Sequence, residues 1–278
     1  MRIGYRSVYR TPADDQPYDA LVSLRQPPTA VTAVALFGLL VLAQLIYPQA
    51  PAEWTIRLTN ITVLLFLGAS LAAAWRRSGP RFAFGLAALA FTVGLLSEII
   101  GVRTGVPFTS YYYTDALQPQ LLSVPLVIPL AWAMMAYPAW RIGELLGRTR
   151  LQQALFAAAA LTAWDVALDP QMVHQGFWVW PHGGLYEGIP LLNFAGWMLV
   201  GTLLFGVWSL VVRPVSAPSR WCLADGLGPA LYAWTWIGET VAHALFFSGW
   251  IVSAASFLAM GVLTVPALLR LRRGTGST

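Results

Sequence analysis

Long apolar runs alternate with short polar segments along most of the chain. Eight runs stand out, at residues 30–47, 58–75, 82–101, 121–140, 151–168, 189–212, 227–248 and 251–269. Each is close to the ~20 residues that a helix needs to cross the hydrocarbon core of a bilayer. The pattern predicts an all-α, polytopic membrane bundle of about eight transmembrane helices. Seven is the alternative, because only a tight turn separates the last two runs.

The composition is typical of a membrane protein and indicates how the chain divides into segments. The 278-residue chain is 57% hydrophobic and only 10% charged, whereas a soluble domain carries about 25% charged residues. We expect a polar N-terminal segment at 1–28 followed by a single transmembrane catalytic domain at 29–273. The lone cysteine, Cys222, excludes an intrachain disulfide.

Arginine placement predicts the orientation of the bundle. All 17 basic residues are arginines, and they recur at the ends of the apolar runs instead of forming one patch. This scatter argues against nucleic-acid binding. With both termini in the cytoplasm, 15 arginines fall inside and only Arg57 and Arg103 fall outside, a strong positive-inside bias. We therefore predict a multi-pass plasma-membrane protein with both termini inside.

Acidic residues at membrane depth are the first candidates for chemistry. Glu98 and Asp165 lie within apolar runs, and Asp169 lies at the edge of one. An ionised side chain in a bilayer costs at least ~2.5–3.5 kcal/mol, so such residues are functional candidates. Asp165 and Asp169 share a helical face. Helix polarity, desolvation and a neighbouring acid all disfavour the ionised form, which predicts a protonated carboxyl acting as a general acid.

A second polar stripe lies in the seventh run. Tyr232, Trp236, Glu239 and His243 follow one another at spacings of four, three and four residues, which places them on one helical face. Glu239 and His243 are candidates to relay a proton, to bind a metal or simply to pair and hold helices together. Two ligands are too few for a metal site, so we predict none.

Aromatic residues are frequent in the two segments expected outside the membrane, and prolines are frequent in the fourth apolar run. The predicted outer segments 102–120 and 169–188 contain tyrosines and tryptophans, which favour the membrane interface and also stabilise cations through their ring faces. The fourth run carries Pro125, Pro129 and Pro138. Prolines bend helices, so we expect a kinked helix beside a cavity.

Several stretches of the chain resemble a known family. They are residues 98–108 with Tyr113-Thr114, residues 129–140, and residues 165–172, 176–180 and 188–197 together with Gly184 and Tyr186. They look like the CruF-type carotenoid hydratases, integral membrane proteins of carotenoid biosynthesis. The resemblance implies cofactor-free addition of water to the terminal double bond of an acyclic carotenoid end, giving a tertiary alcohol. It also implies a carotenoid substrate within the bilayer, water as co-substrate and association with other carotenoid-biosynthesis enzymes.

The chemistry of alkene hydration suggests roles for the candidate residues. Protonation produces a tertiary carbocation, which needs an acid, aromatic or carboxylate stabilisation and a controlled supply of water. We predict Asp165 as the proton donor and Asp169 or Glu98 as the group that orients water, with Glu239 and His243 as further catalytic candidates. The predicted substrate-binding residues are Tyr113, Trp132, Trp164, Trp178, Trp180, Tyr186, Asn193, Trp197 and Trp236.

Three other functions are compatible with part of this pattern. A lycopene cyclase-like enzyme would protonate the same end group in a dry cavity. A membrane polyprenyl transferase would need an Asn-Asp-rich motif for magnesium and diphosphate, which we do not find in the sequence. A proton-coupled transporter would use midplane acids, but no internal repeat supports one.

Overall fold

The computed structural model describes residues 28–212 and 226–275, so the predicted polar N-terminal segment and Cys222 lie outside the described residues. Helices dominate the described part, and the prediction of an all-α bundle with eight helices is confirmed there. They are α1 (Pro28–Ile46), α2 (Thr55–Ser78), α3 (Pro80–Thr104), α4 (Val127–Leu146), α5 (Arg150–His174), α6 (Leu191–Val211), α7 (Leu227–Leu245) and α8 (Trp250–Thr275). Two short 3₁₀ helices, Tyr47–Gln49 and Ala52–Trp54, connect α1 to α2.

Six of these helices are long and apolar enough to cross a membrane, and α4 and α7 complete the bundle. Helix α4 is the central helix, packed against α2, α3, α5, α7 and α8. Most of its residues are buried by protein, so its sequence need not be as lipophilic as that of a lipid-facing span. The cytoplasmic placement of both termini and the plasma-membrane location stay predictions.

Two helix boundaries differ from the predicted ones, and a proline lies near each of them. The fourth run was expected to be helical from residue 121, but Gln120–Leu121 and Val124–Pro125 form a small hairpin and α4 begins at Val127. Helix α5 was expected to end near Asp169. It continues through Pro170 to His174, because a proline removes one backbone hydrogen bond without ending a well-packed helix.

Hydroxyl groups from other segments satisfy the carbonyls that two helix prolines leave free. Pro138 in α4 cannot donate to Met134, and the Ser70 hydroxyl donates to that carbonyl at 2.7 Å. Pro170 in α5 likewise leaves the carbonyl of Val166, which accepts from the Tyr186 hydroxyl at 2.9 Å. Tertiary hydrogen bonds therefore satisfy both carbonyls, as the bilayer requires for exposed backbone groups.

The two predicted outer segments join each other at one end of the bundle. Strand β1 (Tyr112–Tyr113) pairs antiparallel with β4 (Trp178–Val179). The hairpin strands β2 (Gln120–Leu121) and β3 (Val124–Pro125) lie between them in sequence. The hydroxyl of Thr114 extends the β1–β4 contact by donating to the Gly176 carbonyl at 2.8 Å. This cap covers the ends of α3 and α5, where the candidate acids lie.

Small residues allow the central helices to approach closely. A Cβ atom at Gly143 of α4 would lie 2.2 Å from the backbone oxygen of Gln153 in α5, and one at Gly201 of α6 would lie 3.2 Å from Ala158. Close approach at small residues is typical of membrane helix interfaces, where dispersion contacts drive association. Helix α5 is consequently enclosed between α4 and α6, and its inner face is fully buried.

Candidate functional site

One large cavity of about 470 Å³ opens within the described part of the bundle. The N-terminal halves of α2 and α4, the C-terminal halves of α1, α3, α5 and α7, the start of α6 and the β1–β4 cap contribute its walls. Most of the lining is apolar or aromatic, and the carboxyl groups of Glu98, Asp169 and Glu239 are exceptions. The cavity thus combines an apolar binding volume with a few acids, the usual character of a ligand site.

Glu98 is held by three donors at the end of α3. Its side chain is buried and accepts hydrogen bonds from the hydroxyls of Tyr111 and Tyr113 and from the indole of Trp132. The Tyr113 bond measures 2.7 Å and the Trp132 bond 3.2 Å. With every partner donating, Glu98 has the hydrogen-bond pattern of a carboxylate acceptor.

Glycines on the Glu98 face of α3 make room for these donors. A Cβ atom at Gly94 would lie 2.6 Å from Cγ of Trp132, and a Cβ atom at Gly101 would lie 2.9 Å from the Tyr111 hydroxyl. Such contacts are too short for any larger residue without movement of the aromatic ring. The spacing of Gly94, Glu98 and Gly101 therefore sets how the donors reach the carboxyl.

Asp165 and Asp169 form a buried carboxyl pair on α5, clamped by one amide group. The Asn193 amide nitrogen donates to Oδ2 of Asp165 at 3.1 Å and to Oδ2 of Asp169 at 2.6 Å. The indole of Trp178 donates to Oδ1 of Asp169 at 3.2 Å, whereas Oδ1 of Asp165 is buried without a hydrogen-bond partner. Asp169 lines the cavity and Asp165 lies behind it.

Aromatic rings surround the acids on several sides. Trp132 and Trp197 stack with ring centroids 4.2 Å apart, and Trp164 meets Trp197 edge to face at 6.2 Å. On the cap, Tyr111 packs against Trp180, and the Trp180 indole donates to the Phe108 carbonyl at 3.1 Å. The predicted binding residues Tyr113, Trp132, Trp164, Trp178, Trp180, Asn193 and Trp197 all line this one cavity.

Two predicted binding residues face elsewhere. Trp236 packs on Phe257 of α8 and donates to its carbonyl at 2.9 Å, because the predicted stripe of α7 is wide enough to contact two different neighbours. Tyr186 is outside the cavity lining and binds the Val166 carbonyl. Its hydroxyl supports the backbone of α5 beside Pro170, outside the cavity.

The predicted Glu239–His243 pair is split between the cavity and the helix interface. Glu239 lines the cavity, and one of its carboxyl oxygens lies 3.8 Å from Nε2 of His243. The same His243 nitrogen lies 2.9 Å from the Ala167 carbonyl; since a carbonyl only accepts, the proton is on Nε2. His243 therefore fastens α7 to α5 two residues from Asp169.

A second polar group in the cavity was not predicted from the sequence. The Tyr47 hydroxyl lies 3.0 Å from the hydroxyl of Thr59 and donates to the side-chain oxygen of Gln175, also at 3.0 Å. Gln171 and Glu239 line the same region. Apart from Glu239, which the sequence already indicated, these groups are uncharged and come from three separate segments of the chain, so no local spacing predicts that they meet. Tyr111 was also missed, although its position two residues from Tyr113 places both on one side of an extended segment.

The tyrosines of the cap remain donors over a wide pH range. Burial, reinforced by the neighbouring Glu98 carboxyl, raises the pKa of Tyr111 and Tyr113 well above the usual tyrosine range.

Among residues 28–212 and 226–275, no group of three or more His, Cys, Asp or Glu side chains is arranged to hold a metal. Independence from metals and cofactors stays a prediction.

The fold and the site together define a polytopic membrane protein with a buried acid cluster in an aromatic cavity. The sequence profile of the carotenoid biosynthesis protein family matches residues 58–264, and the chain belongs to this family. A bisanhydrobacterioruberin hydratase from Haloarcula japonica is 34% identical over 125 residues, which cover 43% of this chain and 42% of that protein. The match thus spans less than half of that relative. No solved structure matches the chain.

Proposed function

We propose that the protein is a carotenoid hydratase, which adds water to the terminal (1,2-type) double bond of an acyclic carotenoid end and forms a tertiary alcohol. One observation carries the proposal: Asp165 and Asp169 share the Asn193 amide beside an apolar, aromatic cavity. The family assignment and the similarity to a bisanhydrobacterioruberin hydratase support the substrate class and the reaction.

The carboxyl pair is suited to deliver a proton to an alkene. Two ionised carboxylates at this spacing repel each other, so a pair in an apolar site holds a proton in common. Asp169 borders the cavity, whereas Asp165 does not. We therefore assign proton transfer to Asp169 and give Asp165, the donor predicted from the sequence, the role of sharing and returning that proton.

The walls are suited to the carbocation that protonation creates. Trp132, Trp164 and Trp197 contact one another and all line the cavity, and aromatic rings attract cations. Glu98 supplies a carboxyl group that its three donors hold in place. Charge already oriented before the reaction stabilises a cationic transition state without reorganisation.

Water completes the reaction and returns the proton. As its oxygen bonds to the tertiary carbon, the water loses one proton, which returns to the carboxyl pair either directly or through Glu98 and restores the starting protonation state. The alkene thus gains one hydrogen from Asp169 and one hydroxyl from water, with no net change in the enzyme. The polar group of Tyr47, Thr59, Gln171 and Glu239 offers hydrogen bonds for water in the same cavity. This feature favours hydration over the cyclisation that a dry cavity would give.

Product analysis in a lycopene-producing bacterial host tests the proposal. We expect carotenoids that have gained the mass of one water at an end group and carry a tertiary alcohol. A cyclised product of unchanged mass would indicate a cyclase, and a prenylated product would indicate a transferase. Unchanged lycopene, with the protein present in the membrane, would contradict the proposal.

A further inference from the structure

The cavity has an apolar mouth on the side of the bundle. Side-chain exposure shows which wall is open. Five lining residues are exposed, and all of them belong to α1, the 3₁₀ helix that follows it, α7 or the residue directly after α7. They are Leu45, Gln49, Ile237, Val241 and Phe246. The remaining lining residues are buried or half-buried. The cavity therefore reaches the outside between α1 and α7.

The chemistry of this mouth matches lipid better than water. Leu45, Ile237, Val241 and Phe246 are between 43% and 53% exposed, and Gln49 is the polar exception. Both bordering helices belong to the membrane bundle. An apolar rim on the side of a bundle allows a ligand to pass from the hydrocarbon without crossing water, which a long polyene would otherwise have to do.

Two side-chain contacts cross the gap between α1 and α7. The indole of Trp234 donates to the side-chain oxygen of Gln44 at 2.6 Å, and the rings of Tyr47 and Phe247 meet edge to face with centroids 6.2 Å apart. Between them, Gly238 contributes no side chain, and a Cβ atom placed there would meet only Trp234, at 4.0 Å. A glycine on the rim leaves space where a larger residue would narrow the mouth.

We propose that the gap between α1 and α7, which we name the lateral mouth, admits the carotenoid directly from the bilayer. One end group reaches the acids while the rest of the polyene passes between Gly238 and the end of α1 and remains among the lipids. This inference rests on the proposed function for the identity of the ligand. It adds a route of entry and a residue, Gly238, that controls access.

Photocrosslinking tests the lateral mouth without requiring any reaction. A benzophenone amino acid is placed at Val241 or Phe246 on the rim, or at Leu203 as a control. Leu203 is 58% exposed on α6 and outside the cavity lining. Membranes containing lycopene are illuminated, and the carotenoid adduct is quantified by mass spectrometry. We expect several-fold more adduct at the rim than at Leu203. Equal yields at the three positions would overturn the proposal.

A second experiment narrows the lateral mouth with a larger side chain. Gly238→Leu is compared with Gly38→Leu on α1, because the Cβ position of Gly38 also meets nothing within 4 Å but lies outside the cavity lining. We expect Gly238→Leu to lower the adduct yield at Phe246, with Gly38→Leu unchanged and both proteins present in equal amount. An unchanged yield in Gly238→Leu would overturn the proposal. If rim crosslinking succeeds but no hydrated product forms, the proposed function fails and the lateral mouth stands.

Discussion

Tyr113 and Trp178 lie opposite each other in the β1–β4 pair, and each donates a hydrogen bond to a different buried acid. The Tyr113 hydroxyl reaches Glu98 on α3, and the Trp178 indole reaches Asp169 on α5. Their rings are in edge-to-face contact, 5.6 Å between centroids. A pair of two-residue strands thereby fixes Glu98 and Asp169 relative to each other, although they belong to helices far apart in sequence.

Because Asp169 and Asp165 have different proposed roles, we expect matched substitutions of the two residues to reduce activity to different extents. Asp169→Asn keeps the shape of the side chain but removes the proton donor at the cavity wall, so product formation should fall by about 10²–10⁴-fold, the usual contribution of a general acid. Asp165→Asn should leave measurable activity, because Asp169 is still present. Product per unit of membrane protein is the measurement. An inactive Asp165→Asn beside an active Asp169→Asn would restore Asp165 as the donor.

The glycines beside Glu98 should tolerate no added methyl group. Gly101→Ala places a carbon 2.9 Å from the Tyr111 hydroxyl, and overpacking of this kind costs ~1–3 kcal/mol. We expect a lower melting temperature and strongly reduced product, because Glu98 loses a donor. Gly206→Ala is the control, since its Cβ position meets nothing within 4 Å. If Gly101→Ala and Gly206→Ala behave alike, the packing around Glu98 does not matter for activity.

Tyr186 is predicted to act through the backbone of α5. Tyr186→Phe removes the hydroxyl that donates to the Val166 carbonyl, and leaving that group unsatisfied should destabilise the protein by ~1–3 kcal/mol. We also expect less product, because the backbone beside Pro170 positions Asp169. Tyr112→Phe is a suitable control because Tyr112 is 48% exposed. Thermal unfolding in detergent and product analysis should both distinguish the two variants.

The cap tyrosines give the protein a predictable response to alkaline pH. Burial and the Glu98 carboxyl raise the pKa of Tyr111 and Tyr113, so their contribution to stability is complete below about pH 10, the ordinary tyrosine value. It is lost as the pH rises through their higher pKa in the folded state. Absorbance titration should show at least two tyrosines that ionise at a higher pH in the folded wild type than in the unfolded chain. Titration of all ten tyrosines near pH 10 in the folded protein would contradict this expectation.

The sequence was most informative where a local pattern has one physical meaning. Apolar runs and arginine placement predicted the helices, and the rarity of acids at membrane depth pointed to Glu98, Asp165 and Asp169. Local patterns could not show that Asn193, on another helix, binds both aspartates. They also could not separate Trp236, which faces α8, from Trp234, which lines the cavity. Both belong to one amphipathic helix, and only tertiary packing decides which neighbour each residue meets.

The most direct test of the account is isotope labelling of the product. Purified protein in lipid vesicles would receive lycopene in deuterated water enriched in heavy oxygen, with a chelator present and no added nucleotide. Acid-catalysed hydration predicts a tertiary alcohol whose oxygen comes from water and whose neighbouring carbon carries one deuterium. Asp169→Asn should abolish that product at equal protein amount. Product oxygen derived from dioxygen, or full labelled product from Asp169→Asn, would contradict acid-catalysed hydration by the carboxyl pair.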